Sequence, residues 1–519
     1  MIFRSPHGEI SPSEQSLADF VLDETRVPSQ QKALVDLTTG RVVTYGELRK
    51  QVRRTAAGLA LLGVRKGDVV ALYSPNSPEF AVSFHGASRL GATLTPANPA
   101  NTAHELAHQL TDAGAKMLIT TASLVDKARV AIAESGRAIE LITTDEAPGL
   151  PSLASIGRDA DPPTVNIDPA TDVAVLPYSS GTTGLPKGVM LTHRNLVVNL
   201  LQTEAMEKSG PHALIAVLPF FHIYGLMVIL NFGLRSGTTV VTLPRFEIEP
   251  FLKALQDWRI ELAHIVPPIA IALAKHPVVD QYDLRHLKTL FCAAAPLAPD
   301  IGDAVQQRLK VVVKQGYGMT ETSPVTHYAD SQSPVRSGTV GRMVPSTECR
   351  IVAVDSGRDA AANQPGEVWI RGPQVMKGYL NNPDATARTV DSEGWLRTGD
   401  IGTVDSEGYL TIIDRLKELI KVKGFQVAPA ELEALLLKHP RIADAAVIPV
   451  TDEECGEVPK ALVVRRGELT ADEVIAYVHA QVAHYKRLRH VAFIDAIPKS
   501  ASGKILRRVL VARERGGAV

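Results

Sequence analysis

The chain has 519 residues, of which 45% are hydrophobic and 21% are charged, a balance that excludes a disordered or fibrous protein. At about 150 residues per domain, this length predicts three or four domains or subdomains. Basic and acidic residues number 55 and 56, so the net charge of −1 gives no general attraction to nucleic acid or to an anionic membrane. Three cysteines are too few and too scattered for a disulfide framework or a zinc site, and they favour a reducing, cytoplasmic location: Cys292, Cys349 and Cys455.

Residues 44–200 alternate between amphipathic helical patterns and short apolar runs typical of buried strands. The predicted helices are 45–62, 78–91 and 102–113, and the predicted strands are 68–74, 92–98, 116–121 and 172–180. The alternation resumes over 213–317, with strands near 238–243, 262–266 and 287–292. Strands that alternate with helices indicate βαβ units and a parallel sheet.

The apolar stretch 213–230 is about the minimum length for a membrane span, and His222 is its one ionisable residue. Pro219, His222 and Gly225 interrupt this stretch, and no basic cluster flanks it. A buried strand, a turn at 219–225 and a buried helix are therefore favoured over a membrane span.

The pattern changes between 325 and 413, where short β-like runs are separated by Gly, Pro, Asp and Asn. These runs, at 348–354, 366–372 and 408–414, predict a small antiparallel or β-barrel-like subdomain. Helical and strand patterns return after 415, with a helix over 431–439 and another that begins at Thr470 and runs to about 484. Thr470 and Glu473 have the spacing of a capping box at the start of that helix.

The expected fold is therefore α/β, in a large N-terminal domain and a small C-terminal domain. The large domain is predicted to span 1–414, with αβ subdomains to about 325 and the β-rich subdomain over about 325–414. The C-terminal domain is predicted to span 415–519 as a small α+β unit.

A loop rich in Gly, Ser and Thr, with the sequence YSSGTTGLPKGV over 178–189, follows the apolar strand residues 172–177. Backbone N–H groups and hydroxyls of such a loop can surround phosphate oxygens, and Lys187 adds a positive charge. The motif is not a Walker A loop, because Gly188 rather than Ser or Thr follows Lys187. Composition alone would also fit an ordinary loop.

Four further motifs follow in order along the chain: QGYGMTE at 315–321, WLRTGD at 395–400, DRLKELIKVKG at 414–424 and PKSASGK at 498–504. Together with the loop at 178–189, this set resembles the adenylate-forming family of acyl-CoA synthetases, peptide-synthetase adenylation domains and luciferases. The segments FFHIYG at 220–225 and GFQVAPAELE at 424–433 are most similar to those of 4-coumarate–CoA and cinnamate–CoA ligases. The resemblance implies an AMP-forming acid–thiol ligase that uses ATP, Mg²⁺ and coenzyme A, and it covers essentially the whole chain.

The resemblance also assigns roles to individual residues on the nucleotide side. Lys504, His222, Thr320 and Glu321 are the predicted catalytic residues, and Glu321 is the predicted metal ligand. The predicted ATP or AMP contacts are Ser179, Ser180, Gly181, Thr182, Thr183, Gly184, Lys187, Ala294, Ala295, Gln315, Gly316, Thr320, Asp400, Arg415 and Lys504. A single mobile lysine can screen a carboxylate and the α-phosphate together and hold them for attack, which suits Lys504.

The family alternates between its two half-reactions by rotating the C-terminal domain, and the resemblance places the hinge at Lys417. The expected coenzyme A contacts are Arg245, Lys423 and Gly424. The expected acyl contacts are His222, Tyr224, Val228, Leu290, Ala293, Gly318, Pro324, Val325, Lys421 and Gln426. Val228, Leu290 and Ala293 make this pocket apolar and slightly shortened, which favours cinnamate, 4-coumarate or a similar aryl acid.

Other functions remain alternatives at this point. A medium- or long-chain fatty acyl-CoA or acyl-AMP ligase, or a luciferase-like oxygenase, would share these motifs. A peptide-synthetase domain normally carries an Asp near 221, where this chain has Phe-Phe-His, and a non-enzymatic binding module would be expected to lack Lys504 or Glu321. A carrier-protein thiol is an alternative acceptor to coenzyme A, and neither a nucleic-acid partner nor a membrane span is expected.

Overall fold

The computed structural model of the chain describes residues 1–179, 186–207, 210–331, 334–422, 425–452, 455–500 and 503–516. These residues form a mixed α/β fold, which confirms the predicted fold class. The helices predicted at 45 and 102 begin there, where Thr44 and Thr102 each form a capping box. Thr192 forms a capping box at the start of a further helix.

The largest sheet has a parallel centre and an antiparallel edge. Its strands lie in the order Gly378–Tyr379, Lys187–Thr192, Val173–Val175, Thr93–Ala97, Val69–Tyr73, Ala115–Thr120 and Glu140–Thr143, and Tyr178–Ser179 pairs with Lys187–Thr192. The helices Tyr45–Leu61, Pro78–Ser88 and Ala103–Asp112 match the predicted ones to within three residues. The strands Val69–Tyr73, Thr93–Ala97 and Ala115–Thr120 pair in parallel, as the alternating pattern predicts.

Two smaller sheets complete this part of the chain. One has the order Ala213–Ala216, Thr239–Thr242, Lys32–Asp36 and Val42–Thr44. The other, which we call the site sheet, has the order Leu262–Ile265, Thr289–Cys292, Val312–Gly318, Val325–Tyr328 and Arg342–Met343. The other α-helices of this part are Leu17–Val21, Val125–Ser135, Leu153–Ile156, His193–Met206, Ile248–Asp257, Pro267–Lys275, Pro299–Leu309 and Pro383–Thr389.

The stretch 213–235 forms a buried strand, a turn and a buried helix, as expected. The helix is wider than predicted, because Tyr224–Asn231 is a π-helix that continues into the α-helix Phe232–Arg235. Gly225 is required in its first turn, since a Cβ there would lie 2.2 Å from the Pro219 carbonyl oxygen. Within the described ranges, the chain contains no helix long and apolar enough to cross a membrane.

The β-rich region forms an open antiparallel sheet, which is one of the two arrangements predicted for it, and the strands do not close into a barrel. The strand order is Ile2–Arg4, Glu348–Val352, Gly366–Arg371, Leu396–Val404 and Leu410–Arg415. The N-terminal residues occupy one edge by pairing Phe3 with Cys349, a long-range partnership that local strand patterns do not encode.

The residues after 415 have their own sheet and their own apolar cluster, made from residues between 420 and 493. The strands are Phe425–Val427, Ile420–Val422, Gly456–Arg465, Ile442–Asp452 and His490–Phe493, and the helices are Pro429–Leu437, Ala471–His479 and Arg507–Glu514. Thr470 and Glu473 form the predicted capping box. The helix ends at His479 rather than near 484, because the chain turns to bury Leu488, whose carbonyl lies 2.9 Å from His479 Nε2.

Candidate active site

Many of the predicted site residues lie at one edge of the site sheet. Leu262–Ile265, Thr289–Cys292 and Val312–Gly318 pair in parallel, so their carboxyl ends meet at that edge. In open α/β sheets, ligands bind outside the carboxyl ends of the strands. This topology brings together residues that are far apart in the sequence: Ala293, Ala294, Ala295, Gln315, Gly316, Gly318, Thr320 and Glu321.

The backbone at this edge is tightly placed. A Cβ on Gly318 would lie 2.0 Å from the Pro324 carbonyl oxygen, so this position requires glycine. Ala294 has φ of 74°, a left-handed conformation that is uncommon for a residue with a side chain. Asn199 fixes the neighbouring wall, because its amide accepts from the Val325 N–H at 3.0 Å and donates to the Val325 carbonyl at 2.8 Å.

Glu321 is a buried carboxylate, 6% exposed, next to the end of the phosphate-type loop. The hydroxyls of Ser179 and Tyr379 both donate to its Oε1, at 3.1 and 2.9 Å. The ammonium of Lys187 lies 5.0 Å from the centre of the Tyr379 ring. The positive charge of this lysine is therefore close to the tyrosine that donates to Glu321. Ser180, Gly181, Thr182, Thr183 and Gly184 lie outside the described residues.

Asp400 is held by partners on two sides. It faces Arg415 across two antiparallel strands, with Arg415 Nε 3.0 Å from its Oδ1. The Tyr317 hydroxyl donates to Oδ2 at 2.5 Å. The charge of Asp400 raises the pKa of Arg415, which favours the charged guanidinium of the ion pair. Burial, together with the charge of Asp400, raises the pKa of Tyr317, which favours the neutral phenol that donates to Asp400.

Lys504 reaches this region from the far end of the chain. Gly503 packs so closely that a Cβ there would lie 2.9 Å from Pro268 Cδ, at the start of the helix Pro267–Lys275. Burial lowers the pKa of Lys504 and the charge of Arg415 acts in the same direction, whereas Asp400 and Glu321 oppose it. The last motif of the chain is thereby placed beside the groups at 321, 400 and 415.

His222 and Tyr224 lie at the start of the π-helix, on the other side of Lys504. Burial and, to a smaller extent, the charge of Lys504 lower the pKa of His222 to about 3, so this imidazole is neutral. The side chains of Tyr224, Val228 and Leu290 are all buried in the main apolar core. Val325 belongs to the same core, and Ala293 packs against it.

Where the structure describes them, the residues predicted for the second half-reaction are not part of this buried group. Arg245 is exposed and pairs with Glu247 at 2.5 Å, and Lys417 and Lys421 are also exposed. Lys423, Gly424 and the side chain of Gln426 lie outside the described residues.

Two family models match the chain: "AMP-binding enzyme" over residues 23–380 and "AMP-binding enzyme C-terminal domain" over residues 431–504. The chain belongs to the AMP-binding enzyme family. It is 45% identical over 535 residues to 4-coumarate–CoA ligase 1 of Petroselinum crispum, and this match covers 100% of this chain and 97% of that relative. It is 44% identical over 533 residues to 4-coumarate–CoA ligase 5 of Oryza sativa subsp. japonica, covering 99% and 98% of the two chains.

These matches confirm the predicted family and reaction class. This AMP-binding enzyme activates a carboxylic acid with ATP and transfers the acyl group to coenzyme A.

Two solved structures of one protein, in its ATP-bound and apo forms, are similar to this chain. ATP-bound MatB from Rhodopseudomonas palustris is 30% identical and superposes with a TM-score of 0.87 over 95% of this chain and 98% of that one. The apo form of the same protein gives a TM-score of 0.76 over 96% of this chain and 98% of that one. At the same 30% identity, the ATP-bound form is the more similar of the two to this AMP-binding enzyme.

Two tyrosines in this site were not predicted from the sequence of this AMP-binding enzyme. Tyr317 lies inside the motif 315–321, which the sequence analysis identifies as part of the site. Its role was still missed, because its partner Asp400 is 83 residues away in the sequence. Tyr379 is 58 residues from its partner Glu321 and lies in a two-residue strand with no local signal of a site. Only the fold reveals these hydroxyl–carboxylate pairs.

Proposed function

We propose that this enzyme acts on an aryl acid of the cinnamate or 4-coumarate type. The observation that carries this proposal is the uncharged core that contains Tyr224, Val228 and Leu290, next to the neutral His222, whose Nδ1 accepts from the Tyr224 N–H at 3.3 Å. A flat, largely apolar ring gains from burial against such a core, whereas a second carboxylate or an α-amino group would find no described partner of opposite charge there. The names of the plant relatives support the same substrate class.

In the first half-reaction, the acid attacks the α-phosphate of ATP and releases pyrophosphate. Two anions must approach each other, and Lys504 is the cation that we assign to screen them. Its pKa is lowered by burial, so it is poorly solvated and gains from pairing with an anion. His222, being neutral, orients the carboxylate through a hydrogen bond without adding charge.

We assign the nucleotide to the edge of the site sheet. Asp400 accepts the ribose hydroxyls, and its contacts with Arg415 and Tyr317 hold that carboxylate in place. Gln315, Gly316, Ala294 and Ala295 line the nucleotide, while Thr320 and Lys187 contact its phosphates.

Glu321 is the residue that would hold Mg²⁺. Its two described hydrogen bonds both end on Oε1, which leaves Oε2 directed to no partner among the described residues. One carboxylate together with substrate phosphates is a usual ligand set for Mg²⁺, so the residues present fit the metal. Bound there, Mg²⁺ would neutralise charge on the phosphates of ATP.

In the second half-reaction, the thiol of coenzyme A displaces AMP. We propose that the domain 415–519 rotates against 1–414 about Lys417 between the two steps. The exposure of Lys417 and Lys421 in the present, ATP-like arrangement supports this proposal, because residues needed later are not yet engaged. Arg245, Lys423 and Gly424 would then meet coenzyme A, and Lys421 and Gln426 the acyl group.

The test is a pyrophosphate-release assay over cinnamate, 4-coumarate, benzoate and medium-chain fatty acids, with and without coenzyme A. The proposal predicts the highest kcat/KM for cinnamate-type acids and formation of their coenzyme A thioesters. Preference for a fatty acid would support the fatty acyl ligase instead, and light emission or oxygen uptake without a thioester would support an oxygenase.

A further inference from the structure

Two paired strand ends form the base of the loop rich in Gly, Ser and Thr. We call this pair the loop base, and its residues are Tyr178, Ser179, Lys187 and Gly188. In antiparallel register, Tyr178 pairs with Gly188. Ser179 pairs with Lys187, and its hydroxyl donates to Glu321 at 3.1 Å. A shift of the loop base would therefore move the cation assigned to the phosphates and a group that holds Glu321.

The phenol of Tyr178 packs along the opposite strand of the loop base and ends at a carboxylate. A Cβ on Gly188 would lie 3.2 Å from Tyr178 Cζ and 3.3 Å from its Oη, so the ring lies close to the backbone of Gly188. The hydroxyl donates to Asp112 Oδ2 at 2.7 Å. Burial raises the pKa of Tyr178, and the hydrogen bond to Asp112 acts in the same direction, so the phenol keeps its proton and stays the donor.

Asp112 is also connected to the other strand of the loop base. Its backbone carbonyl accepts from Asn381 Nδ2 at 3.1 Å. The adjacent Leu380 N–H donates to the Gly188 carbonyl at 2.8 Å. The side chain of Asp112 thus binds one strand of the loop base, and its main chain is linked to the other.

The position of Asp112 in its helix gives the carboxylate no stabilisation from the helix itself. Asp112 is the last residue of the helix Ala103–Asp112, where the negative end of the helix dipole disfavours an anion. The last turn of this helix, all of which is described, contains no basic residue. Among the described residues, the hydrogen-bond partner of this carboxylate is the Tyr178 hydroxyl, and a hydrogen bond to a charged acceptor is stronger than a neutral one.

We propose that Asp112 is a positioning residue for ATP, because it holds the Tyr178 hydroxyl and thereby fixes the loop base that carries Ser179 and Lys187. This inference rests on the proposed function, which assigns Lys187 to the phosphates. Without the hydrogen bond, the loop base would have to be ordered when ATP binds, and this ordering weakens binding. The acid is assigned to the other side of Lys504, so its binding does not depend on the loop base.

The test measures the KM for ATP and the KM for the acid by pyrophosphate release, with the acid that wild type activates best in the screen proposed for the function. Tyr178→Phe removes the hydroxyl and keeps the ring, and Asp112→Ala removes the acceptor. Each should raise the KM for ATP about fivefold, whereas the KM for the acid should stay within about twofold of wild type. The double variant should be no worse than either single variant, because both changes remove the same bond. Asp112→Asn keeps an oxygen acceptor and should stay within about twofold of wild type for both KM values.

Tyr73→Phe is the matched control. Tyr73 lies in the same sheet, and its hydroxyl donates to the Pro99 carbonyl at 2.9 Å rather than to a group linked to the loop base. This variant also loses a tyrosine hydrogen bond, but its KM for ATP should not change.

Tyr178→Phe decides the matter even if Asp112→Ala does not fold. A rise of less than about twofold in its KM for ATP, or an equal rise in both KM values, would overturn the inference while wild type remains active. A rise in Asp112→Asn as large as in Asp112→Ala would also overturn it, because acceptance of the hydroxyl would then not be what matters. If wild type releases pyrophosphate with none of the acids, the proposed function fails and the inference fails with it.

Discussion

The nucleotide side and the acyl side of the site meet at Lys504 but are built from opposite chemistry. On the nucleotide side, Asp400 and Arg415 are a paired carboxylate and guanidinium, and Glu321 is buried among hydroxyls. On the acyl side, Tyr224 and His222 are kept neutral by burial. Removing one member of a charged pair leaves the other without compensation, whereas removing a methyl group from an apolar wall only alters the fit. Catalysis should therefore be sensitive on the first side and substrate choice adjustable on the second.

The largest effect is expected where the two sides meet. Lys504→Ala should lower the rate of acyl-adenylate formation about 10² to 10³-fold, because it removes the cation that screens both reacting anions. Thioester formation from supplied acyl-adenylate should be nearly unchanged. Lys499→Ala is the matched control, since Lys499 lies in the same motif but pairs with Asp444 at 2.6 Å. Equal losses in both half-reactions would contradict the assigned division of labour.

On the nucleotide side, Asp400→Asn should lower kcat/KM for ATP about 10²-fold, because a neutral amide binds the ribose hydroxyls and Arg415 less strongly. The KM for the acid should change little. Asp405→Asn breaks an ion pair with Arg336 on the same strand region and should leave kcat/KM for ATP unchanged. A change in acid KM as large as that in ATP KM would show that the two sides are not separate.

Asp414, which precedes Arg415 in the chain, should give a pH signature in stability. Burial raises the pKa of Asp414 from 3.8 to about 6, despite the opposing charge of Arg507. The folded state therefore binds this proton more tightly than the unfolded state, so the contribution to stability is full below about pH 4 and is lost as pH rises through about 6. Relative to wild type, Asp414→Asn should gain about 1–3 kcal/mol in free energy of unfolding between pH 4 and pH 7, measured with urea. A difference that stays constant over this range would exclude the raised pKa.

The smallest effect is expected on the acyl side. Ala293→Gly removes one methyl group from the wall and should raise the ratio of kcat/KM for 4-coumarate over cinnamate about tenfold. The KM for ATP is the internal control and should stay the same. An unchanged ratio would mean that Ala293 does not contact the acid.

The sequence predicts the site residues that lie in family motifs. The family motifs carry Lys187, Glu321, Asp400 and Lys504, because local strings of Gly, Ser, Thr and charged residues accompany them. The fold class also follows from local periodicity, since each βαβ unit is encoded by neighbouring residues.

The partners of these residues could not be predicted. Tyr317 and Tyr379 are ordinary core-type residues in the sequence, and they contact the site carboxylates through hydrogen bonds to residues 83 and 58 positions away. The edge strand Ile2–Arg4 of the β-rich sheet escaped prediction for a similar reason, because it comes from the other end of the chain.

The most direct test of the account is a single-turnover experiment with ATP, Mg²⁺ and cinnamate in the absence of coenzyme A, followed by addition of coenzyme A. The account predicts that cinnamoyl-AMP accumulates to about one per enzyme molecule with release of pyrophosphate. Coenzyme A should then convert this cinnamoyl-AMP to cinnamoyl-CoA with release of AMP. Consumption of ATP without an acyl-adenylate, or an acyl-adenylate that coenzyme A does not discharge, would contradict it.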